Sequence, residues 1–115
     1  MPTDDIRLDK TARIRQLNDA LRRTGTGGHI VITRGIRELP PVKARKILFA
    51  VKTYDALTED NDPYKEHDFG SDEIDGARIF WKIDYYDRTL SVHSPDPSDP
   101  SVTERVLTIM LAEEW

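Results

Sequence analysis

Asp75-Gly76-Ala77-Arg78-Ile79-Phe80-Trp81-Lys82-Ile83-Asp84-Tyr85-Tyr86-Asp87 is the stretch that decides the fold class. Asp-Gly is a preferred pair for a tight type I′ turn, because both central residues of that turn need a positive φ. The run from Ala77 to Tyr86 is rich in aromatic and β-branched side chains, so turn and run together predict an antiparallel hairpin. Period two puts Ile79, Trp81, Ile83 and Tyr85 on one face and Phe80, Lys82, Asp84 and Tyr86 on the other. The first set is the expected core face. A second turn at Asp87-Arg88 is expected to return the chain through Thr89 to His93, with Leu90 and Val92 on the buried side.

Upstream of the hairpin, the acidic run Thr58-Glu59-Asp60-Asn61-Asp62-Pro63 is made of turn formers and acids, and so reads as a surface loop. Before it, Pro40-Pro41 suits a helical first turn, and Ile47, Ala50, Val51, Tyr54 and Leu57 form one stripe of a helix over residues 43–57. His29-Ile30-Val31-Ile32-Thr33 is β-branched, short and bounded by Gly28 and Gly35, hence a strand. Ile14, Leu17 and Leu21 mark a first amphipathic helix over about residues 8–24, with Arg13, Arg15, Arg22 and Arg23 on the remaining faces. Gly25-Thr26-Gly27-Gly28 ends it.

Downstream, Ser94-Pro95-Asp96-Pro97-Ser98-Asp99-Pro100 is a rigid polar link. Asp99 before Pro100, or Ser101 with Glu104 as a capping box, predicts a C-terminal helix with Val102, Val106, Ile109 and Met110 buried and Trp115 packed at its end. The expected fold is α+β: three helices on one face of an antiparallel sheet of three to four strands, in the order α-β-α-β-β(-β)-α. A length of 115 residues suits one domain, 1–115, with residues 1–8 as a flexible N-terminus.

Composition narrows the function classes. The chain has no cysteine, which excludes disulfides, thiolate ligands and a cysteine nucleophile. No window approaches the roughly 18 apolar residues of a membrane span, so a cytoplasmic protein without membrane contact is expected. The net charge of −4 hides a split: residues 1–57 carry 12 Lys and Arg against 6 Asp and Glu, whereas residues 58–115 carry 5 against 15. That leaves +6 on one half and −10 on the other, so either the halves attract each other or the acidic half faces a partner. The arginines of the first helix, with Arg34, Arg37, Lys43, Arg45 and Lys46, accompany no nucleic-acid readout motif, and direct nucleic-acid binding is not expected.

Few residues invite chemistry. The glycines from Gly25 to Gly28 follow a helix and precede a strand, the reverse of a phosphate-cradling loop, and no lysine accompanies them; no cofactor is expected. Glu66-His67-Asp68 is the candidate catalytic cluster, because carboxylates beside an imidazole suit acid and base work or a divalent ion. In an extended segment, however, Glu66 and Asp68 point away from His67, so a site needs Asp84, Asp87 or His93 as well, and no metal ligand set is assigned. Asp60, Asp62, Glu66, Asp68, Lys82, Asp84 and Tyr86 are the candidate binding residues: the acidic loop and the hairpin face opposite the core.

At Asp60-Asn61-Asp62-Pro63, Glu66-His67-Asp68-Phe69-Gly70, Phe80 to Asp87, Ser94-Pro95-Asp96-Pro97 and the ending from Arg105 to Trp115, the chain resembles a family of small bacterial proteins classed only as a domain of unknown function. The resemblance runs from about Ile14 to the end and implies no activity or catalytic residues. It does imply cargo of plasmids and other mobile elements, often beside anti-restriction genes. The leading expectation is therefore a small protein-interaction module that inhibits a host defence system through an acidic surface. The alternative is a metal-dependent or acid/base hydrolase or nuclease on Glu66, His67, Asp68 and Asp84. A third reading is a homodimeric scaffold joined at the Trp81 hairpin edge.

Overall fold

The computed structural model describes residues 3–115, with side chains from Lys10 onward. Helix α1 is Thr3–Thr24, strand β1 His29–Ile32, helix α2 Arg34–Arg37, helix α3 Pro41–Lys52, and strands β2, β3 and β4 are Phe69–Ile74, Ala77–Tyr86 and Glu104–Leu111. The strands lie in the order β1-β4-β3-β2. The class is α+β, with three helices and four strands among the described residues, but the sheet is mixed: β1 runs parallel to β4, while β4–β3 and β3–β2 are antiparallel. The purely antiparallel expectation is corrected there, because β1 and β4 are far apart in sequence and no tight turn dictates their direction.

The hairpin forms as its turn residues require. Asp75 (φ 50°) and Gly76 (φ 82°) both take the left-handed conformation that a type I′ turn needs, and Ile74 pairs with Ala77 across it. Along β3, Ile79, Trp81, Ile83 and Tyr85 are buried, joined by Ile14 and Leu21 of α1, Ile47 and Val51 of α3, and Leu107 and Ile109 of β4. The alternate residues Phe80, Lys82, Asp84 and Tyr86 are half-buried, so the helices cover one face of the sheet. Across from Trp81 stands Gly70, whose backbone lies directly against the indole. A β-carbon there would overlap the ring, which is why a glycine is kept inside this strand.

The expected C-terminal helix is a strand. Glu104–Leu111 is β4, the central strand between β1 and β3, with Arg105, Leu107 and Ile109 buried on the helix-covered face. The apolar spacing of Val102, Val106, Ile109 and Met110 also fits a helix, but Arg105, at 1 % exposure, occupies the buried face and hides the alternation from a hydropathy reading. The expected cap does exist: Asp99 Oδ1 accepts from the Ser101 amide at 2.9 Å, yet it starts only a three-residue 3₁₀ turn.

The expected return strand through residues 89–93 is a loop instead, tied to the sheet by one isolated bridge between Tyr86 and His93. Leu90 and Val92 are exposed rather than buried. Asp87 explains the difference, since its carboxylate accepts from Thr89 Oγ1 at 2.9 Å and from the Ser91 amide at 3.0 Å and closes the chain into a tight turn.

The remaining corrections are smaller. Helix α3 ends at Lys52, short of Leu57, where Thr53 Oγ1 donates to the Phe49 carbonyl at 2.8 Å. Helix α1 begins at Thr3 rather than near residue 8; Met1 and Pro2 lie outside the described residues. Arg22, expected on a solvent face, is 3 % exposed: it donates to the carbonyls of Val51 at 3.0 Å and Tyr54 at 2.9 Å and lies over the Trp81 ring at 5.2 Å. It thereby supplies donors to carbonyls at and just beyond the end of α3. Among the described residues, no helix is long and apolar enough to cross a membrane.

Candidate functional site

The loop between α3 and β2 folds onto α1, on the helix-covered side of the sheet. Three side chains of α1 hold it: Arg15 Nη1 donates to the Lys65 carbonyl at 3.0 Å, Asn18 Nδ2 to the Glu66 carbonyl at 2.9 Å, and Asp19 Oδ1 lies 2.9 Å from His67 Nδ1. Lys65 (φ 59°) and His67 (φ 56°) both take left-handed backbone conformations, which cost non-glycine residues free energy and persist only where neighbours enforce them. Here the α1 contacts enforce them, and the segment is not extended. Glu66 and His67 consequently turn to different partners.

Glu66 is committed to the protein interior, where its Oε1 accepts from Tyr85 Oη at 2.7 Å. Tyr85 Oη in turn accepts from Asn18 Nδ2 at 2.8 Å, and Asn18 Oδ1 accepts from Arg105 Nε at 2.7 Å. Arg105 also donates to the Pro97 carbonyl and lies over the Tyr85 ring at 5.1 Å. This chain of bonds links α1, the loop, β3 and β4. Burial, and then the Glu66 acceptor, push the Tyr85 hydroxyl well above the usual tyrosine range, so it stays a neutral donor.

His67 is bracketed by carboxylates. Its Nδ1 faces Asp19, and its Nε2 lies 3.5 Å from Asp62 Oδ2, while its backbone amide donates to Asp62 Oδ1 at 3.1 Å. With a carboxylate facing each ring nitrogen, the side chain ties the loop to α1. Asp62, expected on an acidic surface, is only 6 % exposed. Arg15, Glu59, Asp62, Lys65 and His67 line an open cleft of about 370 Å³.

Asp68 is half-buried. Burial first, then the nearby negative charges of Glu66, Asp62 and Asp84, raise its carboxyl above the ordinary aspartate range. Asp84 pairs with Lys82, Nζ to Oδ2 at 3.0 Å, and Tyr86 stands beyond it on the uncovered face. Of the expected residues, then, Glu66, Asp68 and Asp62 gather around the loop, Lys82, Asp84 and Tyr86 share the open face, and Asp60 is exposed at the loop tip. The histidines have separate partners: His29 Nε2 pairs with Glu104 at 2.7 Å and His93 Nδ1 with the Ser94 carbonyl at 2.8 Å. Among the described residues, no three His, Asp or Glu side chains are grouped to hold a metal ion.

The open face carries a feature that no local motif announces. Trp115 packs edge-on against Phe69 and Phe80, each at 5.5 Å between ring centres, while 69 % of its own surface stays exposed. Thr33, Lys82, Thr108 and Met110 flank it. The partners of Asn18 and Asp19 also escape a local reading, although a polar Asn18 on the stripe of Ile14 and Leu21 is a visible signal of a buried hydrogen bond.

No curated protein and no solved structure matches this chain. A family model described as a protein of unknown function, DUF3768, matches residues 32–114. The matched span takes in strands β2 to β4, helices α2 and α3 and the loop that Asp19 and Asn18 hold, and the chain belongs to this DUF3768 family of proteins of unknown function.

Proposed function

We propose that this chain is a non-enzymatic protein-binding module that works through the uncovered face of its sheet. The observation that carries the reading is the cluster of exposed Trp115 on half-buried Phe69 and Phe80 beside the Lys82–Asp84 pair, an aromatic group rimmed by charge on a face that no α-helix covers among the described residues. Large rigid rings with charged neighbours bring area and orientation at little entropic cost. The −10 charge of residues 58–115 supports a partner with a basic surface. The resemblance to mobile-element cargo directs that search to nucleases and complexes of host defence, which this chain would block by presenting nucleic-acid-like charge.

The test compares wild type with a Trp115→Ala/Lys82→Glu variant in partner capture from a bacterial lysate, then measures restriction of incoming DNA in cells expressing each protein. The expected result is a retained nuclease component, lost with the variant, and protection of the DNA by wild type alone. Equal retention by both proteins, or no retained partner, overturns the reading.

One observation favours a second reading, an acid/base hydrolase. The Asp19–His67 pair at 2.9 Å opens on a cleft lined by Arg15, an arrangement in which a carboxylate orients an imidazole. Both ring nitrogens face carboxylates, however, which suits a tether better than a base. Turnover of a generic phosphodiester or ester by wild type, abolished in His67→Gln, would establish this reading; no turnover, or turnover unchanged in that variant, removes it.

A further inference from the structure

We propose that the free edge of β2 and the groove between it and α3 form a docking site for an extended, cationic segment of a protein partner, which adds to the sheet as a fifth strand. This goes beyond the sheet-face reading and uses the other side of the sheet. β2 is the last strand of the order β1-β4-β3-β2, so one of its edges has no neighbour among the described residues. The phase of its hydrogen bonds is set by the two-residue turn: Ile74 and Ala77 close the hairpin as a bonded pair, and bonded pairs then alternate along the ladder. The Ile83 amide bonded to the Asp68 carbonyl at 2.8 Å keeps the same phase. The backbone groups of Phe69 and Ser71 and the Glu73 carbonyl therefore point outward along the edge, while the Glu73 amide already donates to Asp72 Oδ1.

The space beside that edge is shaped for alternate side chains. Lys46, Phe49, Tyr54, Asp55, Asp72 and Ile74 line a groove of about 470 Å³ between α3 and β2. Phe49 is 66 % exposed there, an aromatic side chain with little apolar cover. In strand addition, backbone bonds supply affinity and the groove beside the edge reads every second side chain.

Charge selects the occupant. Asp55, Asp72, Glu73 and Asp75 border the edge; Lys46 already pairs with Asp75 at 3.0 Å, and Arg78 stands opposite Glu73 on the neighbouring strand. Asp55 and Asp72 are left to face the groove. The Asp72 carboxylate lies along the edge itself, accepting from the Glu73 amide at 2.8 Å. Two β2 edges brought together set the same acids on both sides of the seam, so a second copy is repelled there, as charged edge strands are in general. A strand with lysine or arginine opposite Asp72 and Asp55, and an apolar residue over Phe49, meets complementary groups at each position.

The test uses a labelled peptide of about eight residues alternating valine and lysine, long enough to span one ordinary strand. Two controls accompany it, one with glutamate for lysine and one with alternate backbone amides methylated. The expected result is binding of the lysine peptide at least about tenfold tighter than either control, a difference of about 1.4 kcal/mol. Amide NMR shifts concentrated at Phe69 and Ser71 should accompany it, with weakening in Phe49→Ala and loss in Ser71→Pro. Absence of binding overturns the proposal. So does equal binding of the methylated peptide, which marks mere charge attraction, and so does self-association that Ser71→Pro abolishes, which makes a second copy the occupant. The methylated peptide and Phe49→Ala decide the matter even where Ser71→Pro does not fold. The methylated peptide, Phe49→Ala and Ser71→Pro touch none of Phe69, Phe80, Trp115 and Lys82, so failure here and failure of the sheet-face reading are separable.

Discussion

At the scale of single residues, the loop from Glu59 to Asp68 is held by charge that is partly unfavourable. Asp68 is pushed toward its neutral form by burial and by Glu66, Asp62 and Asp84. Its folded state binds the proton more tightly than the unfolded state, so stability falls as pH rises through the interval between the ordinary carboxylate value and the raised one. Asp68→Asn should therefore raise the melting temperature at pH 7, and the gain should shrink as pH falls below about 4, where aspartate is protonated in both states. Thermal unfolding at a series of pH values checks this; a gain that is independent of pH, or a loss at pH 7, counters it. The peculiarity of Glu66-His67-Asp68 was legible in the sequence, but its chemistry was not. His67 finds Asp19 across 48 residues of chain, and Asn18 finds Tyr85 across 67, contacts that no local spacing encodes. Residue type told only that these groups need partners.

Elements show the same division. The β2–β3 hairpin was legible because a two-residue turn fixes its own register and alternation fixes its faces. Strand β4 was not, since a short apolar run fits both periods and a buried arginine broke the pattern. Beyond β4 lies a 3₁₀ turn, Ala112–Glu114, whose Glu114 reaches back to Leu111 and across to the start of α2. Its Oε1 accepts from Thr33 Oγ1 at 2.6 Å and from the Leu111 amide at 2.8 Å, and its Oε2 accepts from the Gly35 amide at 3.0 Å. The Thr33 hydroxyl, then the backbone amides, hold this carboxyl below the ordinary glutamate range. The latch is thus fully present above the ordinary glutamate value and is lost as pH falls through the lowered folded one. Glu114→Ala should free Trp115 from Phe69 and Phe80, seen as red-shifted emission and greater acrylamide quenching, with the fully buried Trp81 as an unchanged background. Wild type should approach the variant's spectrum in acid; identical spectra at pH 7 would show that the aromatic cluster holds without the latch.

For the whole molecule, a small part of the charge split of the sequence is met by contacts that join the two halves. Lys10–Asp96, Lys46–Asp75 and His29–Glu104 each pair a residue of the first half with one of the second. All three involve exposed groups, and pairs of that kind contribute about 0–1 kcal/mol each and weaken with salt. Raising sodium chloride from low to about 0.5 M should accordingly lower unfolding free energy by no more than about 1–2 kcal/mol in a urea titration. A much larger loss would mean that attraction between the halves, rather than the Trp81 core, holds the fold. The central place of β4 has a different consequence, in the order of synthesis. A nascent chain that has emerged only as far as Asp99 has β1 and β3 but not the strand that lies between them, so the inner edges of both wait open. Sheet closure is then a late event that joins distant parts of the chain, which slows folding and exposes unpaired edges to chaperones and proteases until Leu111 is made.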